Sequence, residues 1–148
     1  MPTDPTFLRD FSCFRDLSEN HLKAIAQIAN SVCYPSGYVL FEEGKPGESL
    51  FFLVKGNVEV MYNIGEDGQV RVDTVSDEEI VGCSALVEPY AYTATVRSLT
   101  EVEILEIDAI ALRELMEKDC CLGSLLRKQI IRILMERILN LRLGAMLQ

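Results

Sequence analysis

Residues 79–97 read EIVGCSALVEPYAYTATVR and combine a strand end, a glycine and a short helical turn. Ile80 and Val81 are an apolar strand end, and the small residues that follow Gly82 favour one turn of helix. The start of such a turn leaves backbone N–H groups unpaired and pointing in one direction, which favours binding of an anion. The alternating residues 92–96 then supply a second wall. The stretch predicts a small-ligand pocket with few charged side chains.

Short β-rich segments lie on both sides of this stretch, and strong turn signals separate them. One such signal is Pro35-Ser36-Gly37, and another is Gly65-Glu66-Asp67-Gly68. Eight short strands with no helix between them are typical of an antiparallel barrel or jelly roll. The predicted strands are 31–34, 38–41, 50–55, 57–62, 69–75, 80–81, 92–97 and 102–107.

Helical periodicity flanks the strands at both ends of the 148-residue chain. Ser18 is a good N-cap for one helix and Asp108 for another. The predicted fold is α+β: an antiparallel eight-stranded β-roll of the double-stranded β-helix or jelly-roll type, with N-terminal helices and a long C-terminal helix. We expect a single domain, with N-terminal helices in 1–30, the β-roll in 31–107 and C-terminal helices in 108–148.

The last predicted helix is apolar around more of its circumference than one surface can cover. One interpretation is a helix buried within its own domain. The other, which we favour, is the seam of a homodimer, because a barrel of this size has little further surface to cover the helix. The residues predicted to form this dimer helix are Leu126, Ile130, Leu134, Ile138 and Leu141.

Charge and composition exclude several classes of function. The net charge is −9, and residues 120–148 hold five basic side chains against one acidic, so the remainder carries −13. Such an acidic body argues against binding nucleic acid. No apolar run reaches the roughly 20 residues that span a bilayer, and the polar start is unlike a secretory signal, so we expect a cytoplasmic protein. A single histidine, His21, and no C-x-x-C spacing predict no metal site.

In order and spacing, these segments resemble the cyclic-nucleotide-binding domain, the β-roll shared by bacterial catabolite-activator proteins, kinase regulatory subunits and gated channels. The resemblance covers roughly residues 18–140. Residues 35–44, PSGYVLFEEG, resemble the opening hairpin of the family. Residues 50–60, LFFLVKGNVEV, follow Gly44 and Gly47 and resemble its glycine-punctuated centre.

The phosphate-binding cassette of that family reads Gly-Glu-x-Ala-Leu, with an arginine ten residues after the glycine. The resemblance implies a ligand site at Gly82, Cys83, Ser84, Ala85, Tyr92 and Thr93. Cys83 stands where the family has the glutamate that accepts the ribose hydroxyl, and Tyr92 where it has the arginine that pairs with phosphate. Losing one charge-assisted contact weakens binding by about ten- to a hundredfold.

Four residues near the cassette each allow two interpretations. Arg71 or Arg97 supplies the missing positive charge to an anion, or each is an exposed strand residue. Cys83 is a reactive thiol activated by the helix start, or a small buried thiol that fills the space of the glutamate. The Tyr92 ring fills the pocket, or it stacks on a planar ligand.

We therefore expect a stand-alone regulatory or sensory module, with no cofactor. A small ligand, either a cyclic nucleotide or a different molecule, would move the C-terminal helices. The alternative is a ligand-free dimerisation or interaction scaffold that has lost cyclic nucleotide binding. No Ser/His/Asp or Cys/His set is visible, so we expect no enzyme. The expected partners are a second copy of the chain or another protein.

Overall fold

The computed structural model describes residues 5–65, 68–75 and 79–146, with every side chain in those ranges except those of Thr6 and residues 141–146. Two 3-10 segments, Pro5–Asp10 and Ser12–Phe14, precede helix α1, Glu19–Ala26. Helix α1 begins at the predicted cap. The hydroxyl of Ser18 accepts a hydrogen bond from the His21 N–H at 3.2 Å, and Nδ1 of His21 accepts one from the Ser18 N–H at 3.4 Å.

His21 therefore has a structural role. Its Nε2 lies 3.0 Å from the carboxylate of Asp119, which joins the start of α1 to the junction between the two C-terminal helices. Asp119 also accepts a hydrogen bond from the N–H of Leu122 at 3.1 Å. These contacts hold the pKa of Asp119 below its usual value, with the backbone bond to Leu122 as the largest cause.

All eight predicted strands are present, and their ends differ from the prediction by three residues at most. The strands are β1 (Ala29–Tyr34), β2 (Val39–Phe41), β3 (Ser49–Lys55), β4 (Val58–Asn63), β5 (Gln69–Val75), β6 (Ile80–Val81), β7 (Thr95–Ser98) and β8 (Val102–Asp108). They pair antiparallel in two four-stranded sheets with the orders β1-β8-β3-β6 and β2-β7-β4-β5. The predicted α+β class with an antiparallel β-roll is confirmed.

Strand β3 is buried on both faces, which explains its uninterrupted apolar sequence. Phe51 and Leu53 belong to the core between the two sheets. Leu50 and Phe52 point to the other side, into a core that the helices complete. There the ring of Phe52 packs 4.9 Å from that of Phe14. One strand thus ties the roll to its flanking helices.

Two helices follow the roll: α2, Ala109–Lys118, and α3, Cys120–Met146. Asp108 caps α2 as predicted, because its carboxylate accepts a hydrogen bond from the Ala111 N–H at 3.1 Å. At 27 residues, α3 is about 40 Å long. Within the described part of the chain, no helix combines the length and the hydropathy that crossing a membrane requires.

The two halves of α3 have different environments, which corrects the predicted dimer residues. Leu126 and Ile130 are buried in the core beneath the N-terminal segments, so they do not form a seam. Leu134 is 36% exposed and Ile138 51% exposed. The side chain of Leu141 lies outside the described residues. The exposed apolar face of α3 consists of Ile131, Met135, Ile138 and Leu139, and we call it the outer face of α3.

Gly56, in the turn between β3 and β4, packs closely against residues 100–102, and this close approach can be tested directly. Its φ is +100°, and an added Cβ would lie 2.6 Å from the Glu101 carbonyl oxygen. Gly37 has a similar φ of +83° but nothing within 4 Å of an added Cβ. We therefore expect Gly56→Ala to lower the free energy of unfolding by about 3 kcal/mol, and Gly37→Ala by about 1 kcal/mol. Urea unfolding measures both, and equal losses would contradict the close approach at Gly56.

Candidate functional site

The turn after β6 carries most of the predicted ligand-binding residues. Gly82 has φ +87°, which glycine adopts without steric cost, and the chain then forms one 3-10 turn, Cys83–Leu86. We call Cys83–Leu86 the cassette turn. Ala85 is fully buried and donates its N–H to the Gly82 carbonyl at 3.0 Å. The sequence predicts unpaired N–H groups at the start of this turn, but the Ala85 N–H is engaged within the turn and is not free to bind an anion.

A cavity of about 480 Å³ lies between the cassette turn, the sheet of β2, β4, β5 and β7, and helix α3. Its polar lining includes Asp73, Ser84, Thr93 and Arg137. An apolar wall, to which strands β4, β5, β6 and β7 contribute, covers most of the rest. That wall is formed by Phe41, Val60, Val72, Val81, Val87 and Val96.

Four of the six predicted cassette residues line this cavity: Gly82, Cys83, Ser84 and Thr93. Thr93 reaches it because residues 92–94 are not part of β7, which begins at Thr95 rather than at the predicted residue 92. The strand alternation assumed from the sequence therefore does not apply to Thr93. The other two residues, Ala85 and Tyr92, lie in the core between the sheets.

Tyr92 is turned away from the cavity. Its hydroxyl donates a hydrogen bond to the Ser49 carbonyl at 2.6 Å and accepts one from the Ser49 N–H at 3.1 Å. Its ring stacks on Phe41 with the centroids 4.0 Å apart. The side chain is only 6% exposed. Both sequence interpretations, a ring that fills the pocket and a ring that stacks on a ligand, are therefore wrong. The Tyr92 side chain packs in the core next to Gly82, at the start of the cassette turn.

Arg71 and Arg97 are not brought to the cavity. Glu59, which lies between them, accepts two hydrogen bonds from each guanidinium, and the shorter bond of each pair is 2.5 Å. Val60 and Val96 face the cavity, so their strand neighbours Glu59 and Arg97 face the opposite side of the sheet, and Arg71 bonds to Glu59 there. The proposed role of these arginines as anion partners in the cavity is corrected accordingly.

The paired arginines also set the charge state of Glu59. Its side chain is only 3% exposed, and the hydrogen bonds from Arg71, followed by those from Arg97, lower the pKa of the carboxyl group. Burial opposes this shift, since it disfavours the charged form. Glu59 is thus held as a carboxylate on the side of the sheet away from the cavity, where its ion pairs join β4 to β5 and β7.

The positive charge in the cavity comes from Arg137, on the second half of α3. Sequence reasoning missed this residue because it looked for cations close to the cassette. A signal was present: Arg137 lies seven residues after Ile130 and three after Leu134, on the inward stripe of the helix. Its guanidinium donates to the main-chain oxygen of Ile80 and lies 3.6 Å from the carboxylate of Glu79.

Cys83 is held as a neutral thiol. Withdrawal from solvent raises its pKa to about 11, and the charge of Arg137 lowers the pKa only in part. A thiol of this kind is a poor nucleophile at neutral pH, which favours the interpretation of Cys83 as a small space-filling side chain, here half-buried in the cavity wall. Burial likewise raises the pKa of Glu79, against the opposing effect of Arg137. Within the described ranges, no three metal-ligating side chains come together.

Arg113 connects the cassette turn to helix α2. Its guanidinium donates a hydrogen bond to the Ala85 carbonyl at 2.5 Å and lies 4.0 Å above the centre of the Tyr90 ring. A longer bond, at 3.4 Å, joins it to the Gly47 carbonyl. Arg113 thus links the cassette turn to α2 through a charged, partly buried group.

Several known proteins are similar to this chain in sequence and architecture. The chain is similar to a candidate cyclic nucleotide-binding protein of known structure from Geobacter metallireducens GS-15, with 31% identity, a TM-score of 0.85, and 92% of this chain and 98% of that chain covered. It is also 22% identical, over 125 residues, to a CRP-like cAMP-activated global transcriptional regulator of Mycobacterium tuberculosis. That match covers 84% of this chain and 54% of the regulator.

A third relative is a cAMP-dependent protein kinase regulatory subunit of Neurospora crassa, 28% identical over 111 residues, with 75% of this chain and 28% of the subunit covered. The chain thus spans about half of the regulator and less of the kinase subunit. The family model described as the cyclic nucleotide-binding domain matches residues 31–119, which hold the cassette turn, α2 and all of the β-roll except the first two residues of β1. The chain belongs to the cyclic nucleotide-binding domain family.

Proposed function

We propose that this chain is a single-domain regulatory module that binds a small ligand in the cavity and passes its occupancy to helices α2 and α3. The observation that carries this proposal is that Leu134 and Arg137, both on α3, are part of the cavity wall. A ligand in the cavity contacts α3 directly, so its binding free energy depends on where the helix lies. Two positions of α3 would then be populated differently with and without ligand.

A second connection runs through α2. The bonds from Arg113 to the cassette turn make the start of the C-terminal helices sensitive to a shift of that turn. Because α2 and α3 meet at Asp119, which also pairs with His21, movement of α2 changes the support of α3. The proposed signal is a change of packing between rigid helices, and it requires no catalytic step.

We propose further that the chain pairs with a second copy through the outer face of α3. Ile131, Met135, Ile138 and Leu139 recur at helical spacing on a surface that the β-roll does not cover. Two such faces related by a twofold axis are self-complementary. Since Leu134 lies next to this face and also lines the cavity, ligand occupancy would bear on the dimer.

The test uses a side chain in place of a ligand. Thr93 lines the cavity and is exposed, so Thr93→Trp should place an indole in it and displace Leu134 and Arg137. We expect amide hydrogen exchange over residues 131–140 to become at least about tenfold faster. Thr74→Trp is the matched control, because Thr74 is exposed and pairs in register with Glu59, on the opposite side of the sheet.

Unchanged exchange in folded Thr93→Trp protein would count against coupling between the cavity and α3. The alternative, a ligand-free dimerisation scaffold, would then be favoured. Equal acceleration in both variants would show a general loss of stability instead of coupling, and it would also contradict the proposal. A melting temperature for each variant establishes that it is folded.

A further inference from the structure

The cavity has an asymmetric distribution of charge. Among its described lining residues, Arg137 carries the positive charge and Asp73 the negative charge. Arg137 reaches the cavity from α3, close enough to Cys83 for its charge to lower the pKa of that thiol. Most of the remaining wall is apolar, with Phe41 and valines of β4, β5, β6 and β7. A ligand that matches this surface has an apolar body and one charged group at one end.

Arg137 has unused hydrogen-bonding capacity. A guanidinium has five N–H donors in a planar fork. In the described part of the chain, Nε of Arg137 is buried without a hydrogen-bond partner. The guanidinium donates a hydrogen bond to the Ile80 carbonyl, and the Glu79 carboxylate is 3.6 Å away, longer than a charge-assisted hydrogen bond. A ligand carboxylate that accepts two parallel bonds from the guanidinium would satisfy it better than its present partners do.

Resting on the proposed function, we propose that the cavity binds a small organic acid with an apolar body, and that Arg137 holds the carboxylate. The apolar part lies on Val60, Val72 and Val96. Asp73 disfavours a second negative group, so the preferred ligand is a monoanion. Because the ligand competes with Glu79 and Ile80 for the guanidinium, its binding loosens the contact between α3 and the segment that leads into the cassette turn.

The first experiment compares two probes of nearly the same shape, octanoate and octanamide, by titration of the backbone amide signals in nitrogen-15 NMR spectra. In the wild-type protein we expect shifts at residues 82–84 and 134–137, with octanoate at least about tenfold tighter than octanamide. Arg137→Gln should remove this preference, and Arg137→Lys should retain part of it. Arg132→Gln is the matched control, since Arg132 is an exposed arginine of α3 that does not line the cavity.

The second experiment looks for a gain in affinity, which a folding defect cannot imitate. Glu79→Gln removes the carboxylate that competes for Arg137, so octanoate should bind about three- to tenfold more tightly while octanamide is unchanged. Glu136→Gln removes the same charge from the residue next to Arg137. Glu136 forms no ion pair with Arg137 among the described residues, so we expect a change below about twofold.

Equal affinities for octanoate and octanamide, with shifts in the cavity, would overturn the anion-binding role of Arg137 and leave the proposed function standing. Shifts confined to other parts of the protein, or none at all with either probe, would also overturn the organic-acid proposal. Neither result decides the proposed function, because exchange in Thr93→Trp is measured without a ligand. A preference for octanoate that persists in folded Arg137→Gln protein would place the carboxylate on another group and refute the assignment.

Discussion

Replacing Ile131 and Ile138 by glutamate is expected to convert a dimer, with about twice the 16.6 kDa chain mass, into a monomer. The side chains are 59% and 51% exposed, so the substitutions cost little in an isolated chain. In the proposed seam they bury unpaired carboxylates, at a cost of several kcal/mol for the pair. Light scattering at micromolar protein concentration measures the change of mass.

Ile110→Glu provides the matched control for this prediction. Ile110 lies on α2, away from the outer face of α3, and is 49% exposed, so the same substitution there should leave the dimer intact. Ile130 and Leu134, which the sequence predicts to lie in the dimer helix, are less suitable for this test. Ile130 is 7% exposed in the helical core, and glutamate there would unfold the monomer. Wild-type protein that stays monomeric at millimolar concentration would refute the dimer.

The double variant Cys83→Glu with Tyr92→Arg is expected to bind cyclic AMP at least about a hundredfold more tightly than the wild-type protein does. It restores both side chains that the cassette pattern of the family has at these positions. Cys83 lines the cavity beside Arg137, so a carboxylate there acquires a cationic neighbour even before ligand binds. Isothermal titration measures the affinity of the wild type, both single variants and the double variant.

The two single variants should gain much less than the double variant. Tyr92→Arg alone leaves the Ser49 N–H and carbonyl without the tyrosine hydroxyl and lacks the acceptor for the ribose. Cys83→Glu alone adds a negative charge to the cavity without the arginine at position 92 that the family pairs with the phosphate. Since both residues would contact one ligand, their effects should be more than additive. A folded double variant that does not bind cyclic AMP would show that the packing of position 92 next to Gly82 prevents an arginine there from reaching the cavity.

Local sequence was sufficient for the elements of this fold. Alternation, turn residues and glycines predict all eight strands, and the caps at Ser18 and Asp108 are where the pattern indicates. These features depend on contacts between residues close in the chain, so they can be deduced without knowing what the elements pack against. A pocket was likewise predicted at the Gly82 turn, where the structure has a cavity.

Side-chain direction at the site depended on tertiary structure. Tyr92 faces the core because residues 92–94 leave the strand and Ser49 offers it two backbone partners, a contact across 43 positions of sequence. Arg97 faces away from the cavity because Glu59, on a neighbouring strand, pairs with it. Strand parity is reliable only within a continuous strand, and the sequence did not show that the strand begins at Thr95.

The amino-acid sequence by itself determined the β-roll, its helices and the position of the turn at Gly82, because periodicity and glycine conformation are local properties. Only the tertiary structure decided which side of α3 is core, which side is exposed, and that Arg137 reaches a cavity formed mostly by residues 41–96. An apolar helical stripe indicates that a face will be covered, but it does not specify by what. The packing of the whole helix against the rest of the domain determines which of its faces is covered.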